Sequence, residues 1–150
     1  MSSLKHLTAG LAFAALFVLP GIVRAAEPDD IIDYRKHVMK TLGDQVAAMN
    51  MTLQGKAPAE NFVLHTQIIA NVAATALIAF TPKAEGGDAK PEVWAKWDDF
   101  SKKMKEFAAN TADLAKTAKE GGAAAAQPKL QGALTCKGCH DVYRKPLEKK

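Results

Sequence analysis

Apolar side chains recur every three or four residues along four stretches of the chain, which is the spacing of one face of an α-helix. The spacing is most regular in the third stretch, which contains Val93, Trp97, Phe100, Met104, Phe107, Thr111, Leu114 and Ala118. Steps that alternate between four and three residues over such a length are typical of a helix packed in a bundle. We predict that this third helix ends at residues 120–122, where two glycines follow Glu120.

The other three stretches have recognisable ends. The first begins at Asp29 and Asp30, whose carboxylates favour a helix N-terminus, and it stops at Gly55. The second extends over residues 58–80, and the last runs from about residue 124 to residue 143. No stretch alternates apolar and polar residues as a strand does. The expected fold class is therefore all-α, with the helices in an up-down-up-down four-helix bundle.

Residues 1–25 have the pattern of an export signal, because Lys5 gives a positive start and an unbroken apolar run follows over residues 11–19. That run is short for a membrane span, which takes about 20 apolar residues. We expect a signal peptide over 1–25, a single domain over 26–150 and a periplasmic location; an uncleaved anchor is the alternative. No later stretch looks long and apolar enough for a membrane helix, so no stable membrane insertion is expected after signal removal.

The charge of the chain limits its partners. The 150 residues include 20 Lys and Arg against 16 Asp and Glu, and only Lys5 and Arg24 of these precede residue 26. The expected mature domain therefore has a net charge of +2, with no basic stripe, which gives no support to a nucleic-acid partner. Two cysteines are too few for a disulfide-rich scaffold or for a four-thiolate zinc site.

Residues 136–140 read Cys-Lys-Gly-Cys-His, which is the one strong chemical motif of the chain. On a helix, Cys136 and Cys139 lie one turn apart on one face, with His140 beside them. Thiols so placed can form thioethers with one porphyrin while the imidazole binds its iron, the pattern of covalent haem c attachment. The alternatives are a dithiol redox motif, which is expected near a βαβ pattern, a zinc site, which needs a second ligand pair, and a disulfide, which fits the spacing poorly.

The sequence around this motif, over residues 135–145, resembles the haem-binding end of cytochrome c′ and related class II cytochromes c. The resemblance extends to Tyr34 and Arg35 in the first helix and to EGGDAKPEVW over residues 85–94. It implies one covalent haem c per chain in a four-helix bundle. It also implies a set of charged residues beside the haem, namely Arg35, Lys36, Asp88 and Arg144. Family members often dimerise through their first two helices, and a homodimer stays open for this chain.

Bundle geometry indicates which residue faces the other side of the iron. His140 lies 10 residues before the end of the chain, and Met39 lies 13 residues after Ala26. With a rise of about 1.5 Å per residue, both fall at one level of antiparallel neighbouring helices. The thioether of Met39 can bind the iron, as in the six-coordinate, low-spin branch of the class, or the side chain can line an apolar pocket. We favour ligation by Met39.

These residues predict an exported monohaem cytochrome that carries one electron and is not an enzyme, with His140 and Met39 axial to the iron. Its partners would then be redox proteins. The alternative is a five-coordinate cytochrome c′ that binds nitric oxide or carbon monoxide, with Met39 only lining the distal pocket. A peroxidase is disfavoured, because the expected distal surface offers no acid–base group.

Overall fold

The computed structural model describes residues 26–146, so the expected signal peptide over residues 1–25 lies outside the described residues. The described part is all-α and lacks strands, which confirms the predicted fold class. Its helices are α1 (Pro28–Leu53), α2 (Asn61–Ala76), α3 (Glu92–Ala95), α4 (Trp97–Ala126), α5 (Leu130–Ala133) and α6 (Cys136–Tyr143). Short 3-10 turns over Leu77–Phe80 and Gln127–Lys129 continue α2 and α4.

The four bundle helices are α1, α2, the α3–α4 pair and the carboxy-terminal segment that ends in α6. α2 packs against both α1 and α4. The core between them contains fully buried Met49, Phe62, Ile69 and Leu114. Burying one large apolar side chain contributes roughly 1.5–3 kcal/mol to folding, so this column of side chains is what holds the bundle together.

α1 forms because its sequence supplies a start, an apolar face and a stop. Pro28 occupies the first turn, where its missing amide hydrogen costs nothing, and Asp29 and Asp30 follow it. After the helix ends at Leu53, Gly55 takes a left-handed conformation with φ of 67°. The prediction that residues 29–53 form the first helix is confirmed by these bounds.

The predicted third helix is interrupted near its start. Lys96 has φ of −123° and ψ of 45°, which separates α3 from α4. The predicted end is visible as a break in helical geometry at Gly122, where φ is 66° and ψ is −163°. The apolar spacing did not reveal the break at Lys96, because the buried face resumes on the other side of it with Phe100.

The prediction of one continuous last helix over residues 124–143 was wrong. Pro128 lacks an amide hydrogen, and the chain there forms a 3-10 turn. Leu134, with φ of −101° and ψ of 61°, and Thr135, with φ of −78° and ψ of 29°, are not helical. The Cys-Lys-Gly-Cys-His motif therefore opens a short helix of its own, α6, instead of continuing a long one.

The prediction that no later stretch is long and apolar enough for a membrane helix was also wrong, because one stretch has the required length and composition. Within the described residues, Asn61–Phe80 passes a test of length and hydropathy, with a mean hydropathy of 1.6. One third of that window is buried inside the protein. Packing in the bundle accounts for its inner face, which includes Phe62, Ile69 and Ala73.

Candidate haem-binding site

A cavity of about 700 Å³ lies between α1, α4 and α6. Every site residue predicted from the sequence lines it, namely Arg35, Lys36, Met39, Asp88, Cys136, Cys139, His140 and Arg144. These residues come from three regions that are far apart along the chain: α1, the loop before α3 and the α6 segment. The fold therefore brings the predicted ligands and the predicted charged neighbours to one space.

α6 presents the two cysteines and the histidine to this cavity. The thiols are unpaired, with Cys136 exposed and Cys139 half-buried. Burial raises the pKa of the Cys139 thiol, so it stays protonated at neutral pH. Burial, and secondarily the charge of Arg144, lowers the pKa of His140. A neutral imidazole keeps a nitrogen lone pair free, and this is the form that binds a metal.

Tyr143 anchors α6 to the bundle. It is the buried residue of that helix, with 4% of its surface exposed. Its ring packs edge-on against Phe100, with 5.1 Å between centroids, and its hydroxyl donates a hydrogen bond to the Asp99 carboxylate. Burial and this carboxylate raise the pKa of Tyr143 to about 12. The phenol is therefore a hydrogen-bond donor over the whole physiological pH range.

The loop before α3 lies along the end of α6. The amide of Lys90 donates to the carbonyl of Tyr143 at 2.9 Å, and the amide of Lys145 donates to the carbonyl of Asp88 at 2.8 Å. The ammonium of Lys145 also donates to the carbonyl of Gly87 at 2.8 Å. These bonds bring Asp88 and Arg144, which were predicted from distant parts of the sequence, to neighbouring positions on the cavity wall.

Arg35 is the most informative polar residue of the cavity. Its side chain is 4% exposed, and its Nη2 donates to the carbonyls of Ala84 at 3.0 Å and Gly86 at 3.4 Å. The guanidinium lies 5.1 Å from the ring centre of Phe80 and 5.3 Å from that of Trp94. Its Nη1 is buried without a hydrogen-bond partner among the described residues.

An unpartnered buried donor costs about 1–3 kcal/mol, so this nitrogen calls for an acceptor within the cavity. A haem carries two carboxylates and a large apolar ring. The unpartnered Nη1 of Arg35, the apolar wall and the Cys-Lys-Gly-Cys-His helix are the features that such a group needs. The residues present therefore fit a haem.

Met39 lies on the α1 wall of the cavity and is half-buried. Leu42, Gly43 and Val46 follow it on the same wall. Met49, one level deeper, is fully buried in the core and does not line the cavity. From Met39 to Val46 the α1 wall is thus apolar except for Lys40, and Met39 supplies its thioether.

The aromatic wall of the cavity was not predicted as part of the site. Phe100, Met104 and Phe107 belong to the regular apolar column of α4, whose spacing predicts bundle packing alone. Phe80 at the end of the 3-10 turn completes that wall. No signal in the sequence marks this wall, because the apolar spacing of α4 would be the same if the face packed against a core.

Comparison with known proteins decides the family. A sequence model described as Cytochrome C′ matches residues 30–144. The chain belongs to the cytochrome c′ family. The cytochrome c′ of Alcaligenes xylosoxydans xylosoxydans is 32% identical over 127 residues, covering 80% of this chain and 97% of the relative. That of Pararhodospirillum photometricum is 33% identical over 129 residues, covering 79% of this chain and 99% of the relative.

Solved cytochromes c′ have the same fold. The structure from Shewanella frigidimarina superposes with a TM-score of 0.73 at 30% identity, covering 82% of this chain and all of that one. A ferrous variant from Alcaligenes xylosoxidans with bound NO has a TM-score of 0.73 at 28% identity, covering 83% of this chain and all of that one. The predicted resemblance, the four-helix bundle and the haem c cofactor are thereby confirmed for this cytochrome c′.

Proposed function

We propose that this cytochrome c′ binds a diatomic gas, nitric oxide or carbon monoxide, at a five-coordinate haem iron, with His140 as the protein ligand. The observation that carries the proposal is the apolar α1 wall of the cavity, which faces the α6 segment. The solved relative with bound NO supports the gas-binding alternative over the electron-carrier interpretation favoured from the sequence. When bound, the haem supplies an iron coordination position that a gas can occupy.

We assign covalent attachment to the two cysteines at the start of α6. Each thiol would add across the double bond of one vinyl group, with the carbon–sulfur bond formed at one carbon and the thiol proton transferred to the other, so no oxidant would be needed. The neutral imidazole of His140, one residue after Cys139, would hold the iron. The one-turn spacing of Cys136 and Cys139 in the first turns of α6 supports this assignment.

The charged residues of the cavity are assigned to the carboxylates of the cofactor. Arg35 has the strongest support, because its buried Nη1 lacks an acceptor among the described residues and a carboxylate would supply one. Lys36 and Arg144 also line the cavity and add positive charge to its wall. Asp88 is held at the cavity by its backbone bond to Lys145, and we assign it to the edge of the haem site.

Met39 is assigned to the distal wall without a bond to iron. Its thioether can neither donate nor accept a proton at neutral pH, and neither can the neighbouring Leu42 and Val46. His37 and Lys40 of α1 also line the cavity but are exposed, so the part of the wall around Met39 provides no acid–base catalyst. An apolar wall also disfavours water and anions while admitting a neutral diatomic molecule. Ligation by Met39 is the competing assignment, and it would make the protein an electron carrier.

Absorption spectra of the haem-loaded protein, oxidised and reduced and with and without carbon monoxide, test this assignment. We expect a high-spin spectrum, ready binding of carbon monoxide and little change in Met39→Leu. Met104→Leu, at a methionine on the opposite α4 wall, is the matched control. A low-spin spectrum with the red-region band of methionine–iron ligation, abolished in Met39→Leu and retained in Met104→Leu, would contradict gas binding and support electron transfer.

We also propose that the mature chain is periplasmic and dimeric. Asn61–Phe80 contains no Asp, Glu, Lys or Arg, and its outer face exposes Leu64 at 52% and Ile78 at 65%. A second copy would cover this face. Sedimentation should give a dimer that Leu64→Glu converts to a monomer, whereas a monomeric wild-type protein would contradict the proposal. Amino-terminal sequencing of protein from the periplasmic fraction tests cleavage after residue 25.

A further inference from the structure

We propose that the hydrogen bond from Tyr143 to Asp99 fixes the direction in which α6 presents the His140 imidazole, which makes Tyr143 a positioning residue for the iron ligand. The inference rests on the proposed role of His140 as that ligand. It goes beyond it by naming what holds this ligand in place.

α6 is not part of a longer helix that would fix its orientation. Leu134 and Thr135 break helical geometry before it, and Arg144 is extended after it, with φ of −111° and ψ of 139°. A helix of eight residues flanked by such breaks can roll about its own axis unless contacts restrain it, and the backbone bonds of Lys90 and Lys145 hold only its carboxy-terminal end. Of the eight residues of α6, Tyr143 is the one that is buried.

Tyr143 is restrained at three points. Its ring contacts Phe100, its carbonyl accepts the bond from the Lys90 amide at 2.9 Å, and its hydroxyl donates to Asp99. The ring contact is apolar and tolerates rotation, and the backbone bond fixes the carboxy-terminal end of the helix. The hydroxyl bond is the directional contact on the α4 side, so it sets the roll of α6.

Asp99 is itself held in place. It lies in the first turn of α4, and its second carboxylate oxygen is 3.6 Å from the ammonium of Lys103. A hydrogen bond to an ionised carboxylate is about twice as strong as one between neutral groups. α4, a separate and longer helix, therefore supplies the acceptor for the Tyr143 hydroxyl of α6.

His140 and Tyr143 are three residues apart, which places their side chains on one side of α6 and about one turn apart. A roll of α6 that shifts the Tyr143 hydroxyl therefore also turns the imidazole of His140. The orientation and basicity of an axial imidazole are among the factors by which a protein sets the reduction potential of a haem. We therefore expect loss of the Tyr143–Asp99 bond to change that reduction potential.

The test is a double-mutant cycle in the haem-loaded protein. Tyr143→Phe removes the hydroxyl, keeps the ring and changes no charge. Asp99→Asn removes the charge and keeps an acceptor oxygen, and Asp98→Asn removes a neighbouring charge that has no bond to Tyr143. For each variant and for Tyr143→Phe/Asp99→Asn, the reduction potential, the dissociation constant for carbon monoxide and the thermal midpoint are measured.

We expect Tyr143→Phe to shift the reduction potential reproducibly and to change the dissociation constant by about threefold to tenfold, as coupled contacts do. Relative to Tyr143→Phe alone, the double variant should show only the further change in potential that Asp98→Asn causes in the wild-type protein. Removal of the hydroxyl leaves Asp99 with no effect on α6 beyond its charge. A lower thermal midpoint in Tyr143→Phe, with the potential and the dissociation constant of the wild-type protein, would overturn the proposal and leave a purely structural bond. Failure of the wild-type protein to bind carbon monoxide would contradict gas binding instead, and the potentials would still decide the role of Tyr143.

Discussion

Arg35 in α1 donates a hydrogen bond to the carbonyl of Ala84, 49 residues further along the chain and 3.0 Å away. The bond ties α1 to the loop that in turn pairs with the end of α6 through Lys90 and Tyr143. One buried guanidinium thus connects the wall that contains Met39 to the segment that carries His140, the proposed iron ligand. Its other terminal nitrogen, Nη1, is left for an acceptor inside the cavity.

Replacing Arg35 by Lys should therefore destabilise the haem-loaded protein by about 1–3 kcal/mol, because one ammonium cannot reach the loop carbonyls and the cavity together. Chemical denaturation followed by circular dichroism measures this free energy of unfolding. Lys102→Ala is the control, since its contact with Glu106 is 3.9 Å long and exposed, and we expect a change below about 0.5 kcal/mol. Equal stability of Arg35→Lys and the wild-type protein would show that the fold does not need the guanidinium of Arg35.

Most of the fold could be predicted from local patterns in the sequence. The alternating steps from Trp97 to Ala118 predicted the bundle seam of α4, and Asp29 to Gly55 predicted α1 almost to the residue. Both depend on side chains that lie within one helix, so the sequence contains the whole signal. The breaks at Lys96 and Leu134 depend on how separate segments pack, and no local spacing reports them.

The candidate site divides in the same way. Cys136, Cys139 and His140 could be predicted because their chemistry is encoded in five adjacent residues. Phe100 and Phe107 could not be recognised as cavity wall, because an apolar column has the same spacing whether it faces a core or a cavity. The Tyr143–Asp99 bond joins residues 44 positions apart, and neither residue belongs to a recognisable motif.

Serine variants of the two cysteines test covalent attachment. Cys136→Ser and Cys139→Ser should each keep their haem after extraction with acidified organic solvent, because one thioether remains. Cys136→Ser/Cys139→Ser should lose it entirely, since the chain has two cysteines in total. The measurement is the haem absorbance that stays with the precipitated protein. Haem retained by the double variant would show that the thiols are not the attachment points.

Two glycine substitutions should have opposite effects on stability. Gly87 has φ of 57°, and a Cβ built there would lie 2.9 Å from Cγ2 of Ile32, so Gly87→Ala should destabilise the protein by roughly 1–3 kcal/mol. Gly132 lies in α5 away from the cavity, and a Cβ there meets nothing within 4 Å. Gly132→Ala should therefore stabilise the protein by up to about 1 kcal/mol through helix propensity.

Unfolding free energies of both variants, measured in the same denaturant, check this pair. The expected order is Gly132→Ala above the wild-type protein and Gly87→Ala below it. A neutral Gly87→Ala would mean that the loop before α3 shifts away from Ile32 at no cost, and that its close approach to α1 is not required.

The Tyr143–Asp99 contact should also give the stability an alkaline dependence. The pKa of Tyr143 is about 12 in the folded protein against an ordinary value of 10, so the folded state holds the phenol proton more tightly than the unfolded state. This contribution is fully present below about pH 10 and is lost as the pH rises to about 12, with a slope approaching 1.4 kcal/mol per pH unit. Tyr143→Phe has no phenol proton, so its free energy of unfolding should not show this part of the decline with pH.

The measurement is the difference in unfolding free energy between the wild-type protein and Tyr143→Phe at a series of pH values between about 8 and about 12. Titration of the many lysines cancels in that difference, because the variants share them. Tyr34→Phe is the matched control, since Tyr34 is the other tyrosine of the chain and is 52% exposed, and it should follow the wild-type curve. A difference that stays constant across the series would show that Tyr143 ionises equally easily in the folded and unfolded protein. Burial beside a carboxylate predicts the opposite, so this outcome would contradict the prediction.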